Sequence, residues 1–372
     1  MNESPSADNR LLSVSIVAGP SAGALLEQIG AIKNERLQVL PPGAISGEGD
    51  QAFAQLCAIA EQGEVDHLVI GCDSDTPPMA YASLFLSSPL TETARVTKTV
   101  LAIRSADLVD SLVRGTSDAE PASPCFLAEE LEFVNHIVLD GGNHDPDGEL
   151  ARAIASTLNP HAHVSALSRE TAVELLAPGG TAFNFTAALD QAGWRQVIEG
   201  EEPSHGGDNH IGSFAYRARR PFHPERFLAL LQGGLRGVFR AKGFLWLATR
   251  MDLVGGLNLA GSELHCAGAG QWWAARDEHA RENEMPERTR KEWQEPFGDR
   301  RQAIAFIGFN FDPGATKAQL NACLLTDTEM SGGPESWMNF PDPFPSWSVH
   351  EHSHECDHDH EHGSADHECC HH

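Results

Sequence analysis

The sequence predicts an α/β protein. A mostly parallel sheet with helices on both faces comes first, then a smaller α+β domain, then a tail without a core of its own. Three observations carry this. Apolar runs alternate with helix-period stretches in the first half, as in βαβ units. The period changes after an acidic, Gly- and Pro-rich segment, EGEEPSHGGD. The last residues are almost purely His, Cys, Asp and Glu. At 372 residues and 41% hydrophobic content there is room for two ordinary domains with real cores.

In chain order, residues 1–10 read as a solvated arm. LLSVSIVAG is a buried strand ending at Gly19, and SAGALLEQIGAI follows at helical spacing. QAFAQLCAIAEQG is a second helix, with Phe53, Leu56, Cys57 and Ala60 on one face and Cys57 expected to be buried and inert. DHLVIGC, KTVLAIRS and FVNHIVLDGG are further buried strands. These place the first domain at 11–198 and a linker at 199–208. In the second domain, 209–347, HIGSFAYRARR alternates like an edge strand, HPERFLALLQGG is a helix closed by glycines, GVFRAKGFLWLAT and QAIAFIGFNF are strands, and TKAQLNACLL is a helix. Residues 348–372 have only Val349 and Ala365 as aliphatic residues and no Lys or Arg, so they are expected to be disordered unless bound to something.

Charge narrows the function. With 26 Lys+Arg against 53 Asp+Glu the formal charge is −27, which repels phosphate backbones and argues against nucleic acid as a partner. No apolar run is long enough for a membrane span, and MNESPSADNR lacks the order of a signal peptide, so the expectation is a cytoplasmic protein with no membrane partner. Eight Cys in a chain of this length do not form a disulfide framework.

The tail carries the strongest chemical signal. His350, His352, His354, Cys356, His358, His360, His362, His367, Cys369, Cys370, His371 and His372 are interleaved with carboxylates. Imidazole and thiolate are the donors borderline metals prefer, and the acids add an attractive field and hydrogen-bonding neighbours for the ligands. A flexible tract offers many overlapping ligand sets, which suits a sink or transfer arm. Zn²⁺ comes first on cellular availability, with Ni²⁺, Co²⁺ or Cu after it.

Elsewhere the signals are weaker. Cys72, Asp73 and Asp75 follow a strand's carboxyl end, where α/β folds place sites, and could hold a cation. Cys266 beside His265 supplies only half a tetrahedral shell. Arg217, Arg219, Arg220, His223, Arg226, Arg240 and Lys242 form either a binding surface or a set of ion pairs joining strand to helix, and the latter is favoured. His223 reads as a cap or packing residue at the start of its helix, and Trp246, Trp272 and Trp273 read as core.

The string FAYRARRPFHPERF, VFRAKGFLWLATR, QWWAARD, GDRRQAIAFIGFNFD, LNACLLTDTE and DPFPSW, in that order, resembles the C-terminal domain of the CobW-type GTPase family, which includes zinc metallochaperones. The resemblance implies a P-loop NTPase-like first domain, a GTP site, and metal ions and a client metalloprotein as partners. The family's phosphate loop, G-x-x-x-x-G-K-[ST], has no counterpart in GPSAGALLEQI, where the first lysine is Lys33. The family's Cys cluster is absent from LPPGAISGEGDQAF, and the base-reading N-K-x-D is replaced by LDGGNHD. What the resemblance leaves is a remnant nucleotide site at Gly19, Gly23, Asn143 and Asp145. The expectation is a metal-binding accessory protein with GTP hydrolysis lost. The alternatives are a divergent GTPase acting in metal delivery and a non-catalytic interaction module.

Overall fold

The computed structural model describes residues 11–45, 49–115, 123–141, 145–177, 182–200 and 210–347. Strands β1 (Leu12–Ala18), β2 (Leu37–Leu40), β3 (His67–Gly71), β4 (Ala94–Arg104), β5 (His136–Asp140) and β6 (His163–Ala166) form one sheet in the order β2-β3-β1-β4-β5-β6. Every pairing in it is parallel. Its central strands are mostly buried and rich in Val, Ile, Leu and Ala because both faces are covered. Val17, Val69, Val100, Ala102 and Val138 face one helical layer with Leu25 and Ile29 of α1 (Ala22–Gly30). Val14, Ile16, Leu68, Ile70, Leu101 and Ile137 face the other, which holds α2 (Gly49–Gln62), α3 (Pro124–Phe133) and α4 (Gly148–Leu158).

On α2 the apolar stripe is shifted slightly from the expected one. Ala52 and Leu56 are the buried residues, and Cys57 is half-buried rather than fully covered.

The second sheet has the order β10-β9-β8-β11-β7 and is wholly antiparallel. Its strands are β7 (Ile211–Ala218), β8 (Val238–Leu245), β9 (Leu253–Ala260), β10 (Glu263–Gln271) and β11 (Gln302–Phe309). β7 is an edge strand, as its alternation predicts. Counted along the chain, α5 (Gly193–Glu199) comes next, then α6 (Pro224–Gly233) and α7 (Pro313–Cys323). Helices α6 and α7 lie against one face over Phe222, Phe227, Ile304, Phe306 and Leu320, with the rings of Phe222 and Phe227 stacked 4.3 Å apart. The opposite face turns toward the first domain, where Ile211, Phe239, Ala260 and Ile307 join its core.

Helix α5 is wedged between the domains. Trp194 and Val197 pack with Ala215 and Ala305 of the second sheet, while a Cβ at Gly193 would fall 2.0 Å from the Thr157 carbonyl oxygen of α4. It precedes the segment expected as a linker, yet its apolar side covers the second sheet.

Arg240 and Lys242 tie the domains together through ion pairs with α3. The Arg240 guanidinium, fully buried on β8, meets Glu132 of α3 through two hydrogen bonds, Nε to Oε1 at 2.7 Å and Nη2 to Oε2 at 3.0 Å. Lys242 Nζ reaches Glu129 at 2.9 Å.

Candidate nucleotide and metal sites

In open parallel sheets, ligands sit beyond the carboxyl ends of strands where the strand order reverses. Here that point lies between β1 and β4, since the chain leaves β1 toward β2 on one side and leaves β4 toward β5 on the other. The turn from β1 to α1 is three residues long, Gly19 to Ser21. Gly19 has φ +98°, and a Cβ there would lie 2.5 Å from the Ala102 carbonyl oxygen, so the turn is pressed onto β4.

A phosphate loop works by leaving backbone N–H groups free to surround an anion. In this turn Pro20 has no N–H to give. The Ser21 N–H donates to Ala102 O at 3.0 Å, and the Ala22 N–H donates to Gly19 O at 2.9 Å. The Ser21 hydroxyl donates to Asp140 Oδ2 at 3.2 Å, so a carboxylate stands across the turn at the end of β5.

The four remnant residues therefore fare differently. Gly19 makes the turn, and Gly23 lies in the first part of α1 facing open space. Asp145 accepts a hydrogen bond from the Asp147 N–H at 3.0 Å and folds back on Gly141, whose Cβ would collide with it at 1.9 Å. Asn143 lies outside the described residues. An open cleft of about 350 Å³ remains beside β5, bordered by Ser105, Gly141, Asp145 and Arg152.

Among the described residues, Cys72, Asp73 and Asp75 are not brought together as a group of metal donors. Cys72 is buried, and burial, with Glu130 and Asp73 nearby, holds its thiol well above the ordinary range. Asp75 is exposed and accepts a long hydrogen bond from Thr76.

The basic cluster is largely consumed by local pairing. Arg226 holds Glu329 through two hydrogen bonds of 2.9 and 2.8 Å, which takes that carboxyl down to about 2. Arg220 reaches Leu325 O and Asp327, both at 2.8 Å, and Arg219 caps the backbone carbonyls of Glu292 and Gly298. His223 is the N-cap of α6, its ring 4.8 Å from that of Phe340. Arg217 is exposed and borders a cavity of about 660 Å³ together with Arg219, Arg288 and Arg301. Trp246 and Trp272 are buried as expected, whereas Trp273 is half-exposed under the Arg276 guanidinium, 4.2 Å from its ring centre.

His265 and Cys266 are neighbours on β10 and so face opposite sides of the sheet; Cys266 packs against the second core, where burial pushes its thiol up to about 12. The twelve tail donors, His350 to His372, lie outside the described residues. Among those described, no helix is long and apolar enough to cross a membrane.

Comparison with known proteins follows the same division. Residues 211–324 match the model of the cobalamin synthesis protein cobW C-terminal domain. A zinc-regulated GTPase metalloprotein activator of Dictyostelium discoideum is 28% identical over 319 residues, spanning 79% of this chain and 67% of that protein. A zinc chaperone of Mycobacterium tuberculosis is 39% identical over 150 residues, which are 39% of this chain and only 37% of the relative. The crystal structure of the Zn(II)-bound YjiA GTPase from E. coli covers 85% of this chain and 99% of its own, at 12% identity and a TM-score of 0.36. Residues 211–324 are thus a cobW C-terminal domain, and the chain as a whole is similar, over 79% of its length, to a zinc-regulated GTPase metalloprotein activator.

Proposed function

We propose that this protein is a cytoplasmic metallochaperone or metal store of the CobW type, with Zn²⁺ as its cargo, a metalloprotein as its client, and a first domain that no longer hydrolyses GTP. The observation that carries the metal reading is the tail, with nine histidines and three cysteines between His350 and His372. The names of the relatives, a zinc-regulated metalloprotein activator and a zinc chaperone, support the same cargo. The loss of hydrolysis is supported by the absent lysine and by a turn whose Ser21 and Ala22 N–H groups are spent on protein carbonyls. A triphosphate would meet the Asp140 carboxylate there instead of a cation.

The test is the zinc content of the full chain beside one ending at Trp347. Four donors per ion make at least about two Zn²⁺ the expected content of the full chain. Most of that capacity should vanish on truncation, and binding should weaken as pH falls through about 6.5, where protons compete for imidazole. Equal zinc in both chains would remove the tail from the function. A second reading, a divergent GTPase, rests on the cleft left open beside Gly141 and Asp145; a low-micromolar Kd for Mg²⁺–GTP would favour it.

A further inference from the structure

Three donor side chains from distant parts of the sequence meet where α3 docks on β10. Cys125 is the second residue of α3, and Glu263 and His265 are alternate residues of β10, hence on one face of it. One donor atom from each, the Cys125 Sγ, a Glu263 carboxylate oxygen and an imidazole nitrogen of His265, lie within 4.8 Å of one another. Among the described residues this is the one group of three or more such donors.

The surroundings are built rather than incidental. The β9–β10 turn is clamped against the first domain, since a Cβ at Gly261 would fall 2.2 Å from the Ser111 carbonyl oxygen. Glu263 Oε2 accepts from the Cys125 N–H at 3.0 Å and from the Ser123 hydroxyl, which fixes one carboxylate oxygen at the start of α3. Its other oxygen, Oε1, faces His265 Nε2 at 2.6 Å. Burial opposes ionisation of Glu263, but the hydrogen bonds from Ser123, Cys125 and His265 outweigh it and hold the carboxyl below its ordinary range. Cys125 is buried, its sulfur 3.8 Å from Asn258 O and 3.7 Å from Glu263 O.

We propose that Cys125, Glu263 and His265 form a zinc site between the domains, with the fourth position open to water. Thiolate, carboxylate and imidazole are each Zn²⁺ ligands, and bonds of 2.0–2.3 Å place tetrahedral donors roughly 3.3–3.7 Å apart. The group must therefore contract by about 1 Å, and the His265 side chain, 59% exposed, is free to supply that movement. Ser123 and the Cys125 N–H hold the carboxylate from behind, as outer partners do in metal sites. Burial pushes the free Cys125 thiol up to about 11, so metal entry releases its proton at neutral pH. Three ligands and an exposed fourth position describe a site that exchanges metal rather than a closed structural one.

The site does not depend on the tail, and the test is chosen to keep the two apart. In the full chain carrying Cys356→Ser, Cys369→Ser and Cys370→Ser, the tail keeps only nitrogen and oxygen donors. Titration with Co²⁺ should then give a thiolate-to-cobalt charge-transfer band whose limiting intensity corresponds to one thiolate-bound cobalt per chain, whatever cobalt the tail histidines take up, and which added Zn²⁺ bleaches. Cys125→Ser should abolish that band. His265→Asn, at an exposed position that leaves the fold intact, should weaken cobalt binding at the band by about tenfold or more, the scale on which even outer partners of a metal act. Absence of the band, its survival in Cys125→Ser, or an unchanged affinity in His265→Asn would overturn the site. None of these outcomes bears on zinc held by the tail histidines, which total zinc content reads.

Discussion

Glu130 sits on α3 with 7% of its surface exposed, and burial alone lifts its carboxyl from 4.5 to about 7. A raised acid pKa works against the fold at high pH. Below 4.5 both folded and unfolded chains hold the proton; as pH rises through 4.5 only the unfolded chain releases it, and the cost is complete above about 7. Glu130→Gln should therefore leave stability unchanged near pH 4 and raise it near pH 8 by up to roughly 3 kcal/mol, read by urea unfolding at the two pH values. Arg240 is the opposite case. Its charge is balanced by Glu132, so Arg240→Leu leaves a buried carboxylate with only Lys242 Nζ, 3.7 Å away, to offset it. That single change should cost about 3–5 kcal/mol, and adding Glu132→Leu should recover much of the loss. If the double variant is no more stable than the single, the pair is not the source of the cost. The sequence marked Arg240 as one of seven basic residues, and its partner, 108 positions away, could not be read from it.

At the scale of elements, strands were legible where both faces are buried. β1, β3, β4 and β5 each contain a short buried apolar stretch, such as VLAI in β4 and IVL in β5, and those stretches mark their positions. β9 and β10 were not, because LVGGLNLA and ELHCAGAGQ carry glycines that lower strand propensity, and the pairing of β9 with β8 and of β10 with β9 makes up the difference. β2 and β6 are four-residue edges too short to show a period. The nucleotide site divides similarly. The missing lysine is visible in GPSAGALLEQI, but the pairing of Ser21 N–H with Ala102 O is a tertiary contact. It sharpens the expectation for GTP. Because the turn has three residues and its donors are engaged, inserting a lysine alone should not restore binding. Isothermal titration of Mg²⁺–GTP should give a Kd weaker than about 100 µM in the wild type, each lost charge-assisted contact being worth roughly 1.5–3 kcal/mol, and no gain in an Ala24→Lys variant. A lysine that brought affinity to the low micromolar range would mean that the turn can open. The group on α3 and β10 left one local trace, the alternation Glu263-Leu264-His265, while its cysteine lies 138 residues earlier.

Over the whole molecule, the docked faces and the acidic connecting segment suggest two proteolytic weak points, residues 201–209 and 348–372. Limited trypsin has no site within the tail, which lacks Lys and Arg, so an acid-directed protease is the better probe. Early cuts should fall in these two segments, with fragments near residues 11–200 and 210–347 persisting. Rapid cleavage within β8 would mean that the second sheet is not a stable unit. The same docking explains how a chain of net charge −27 can hold two domains together, since Arg240 and Lys242 place positive charge against the Glu129 and Glu132 side of α3.

Helix α5 changes what a cut in residues 201–209 would produce. The helix stays on the N-terminal piece while its apolar side, Trp194 and Val197, covers Ala215 and Ala305 of the other. The two pieces are thus complementary fragments rather than independent bodies. After cleavage they should elute together from a sizing column and part only in denaturant. A recombinant 209–347 should be sticky and self-associating, and a version begun at Ala192 should be well behaved. Added back in trans, a fragment ending at Gly200 should rescue the shorter one, much as a missing piece restores a split reporter.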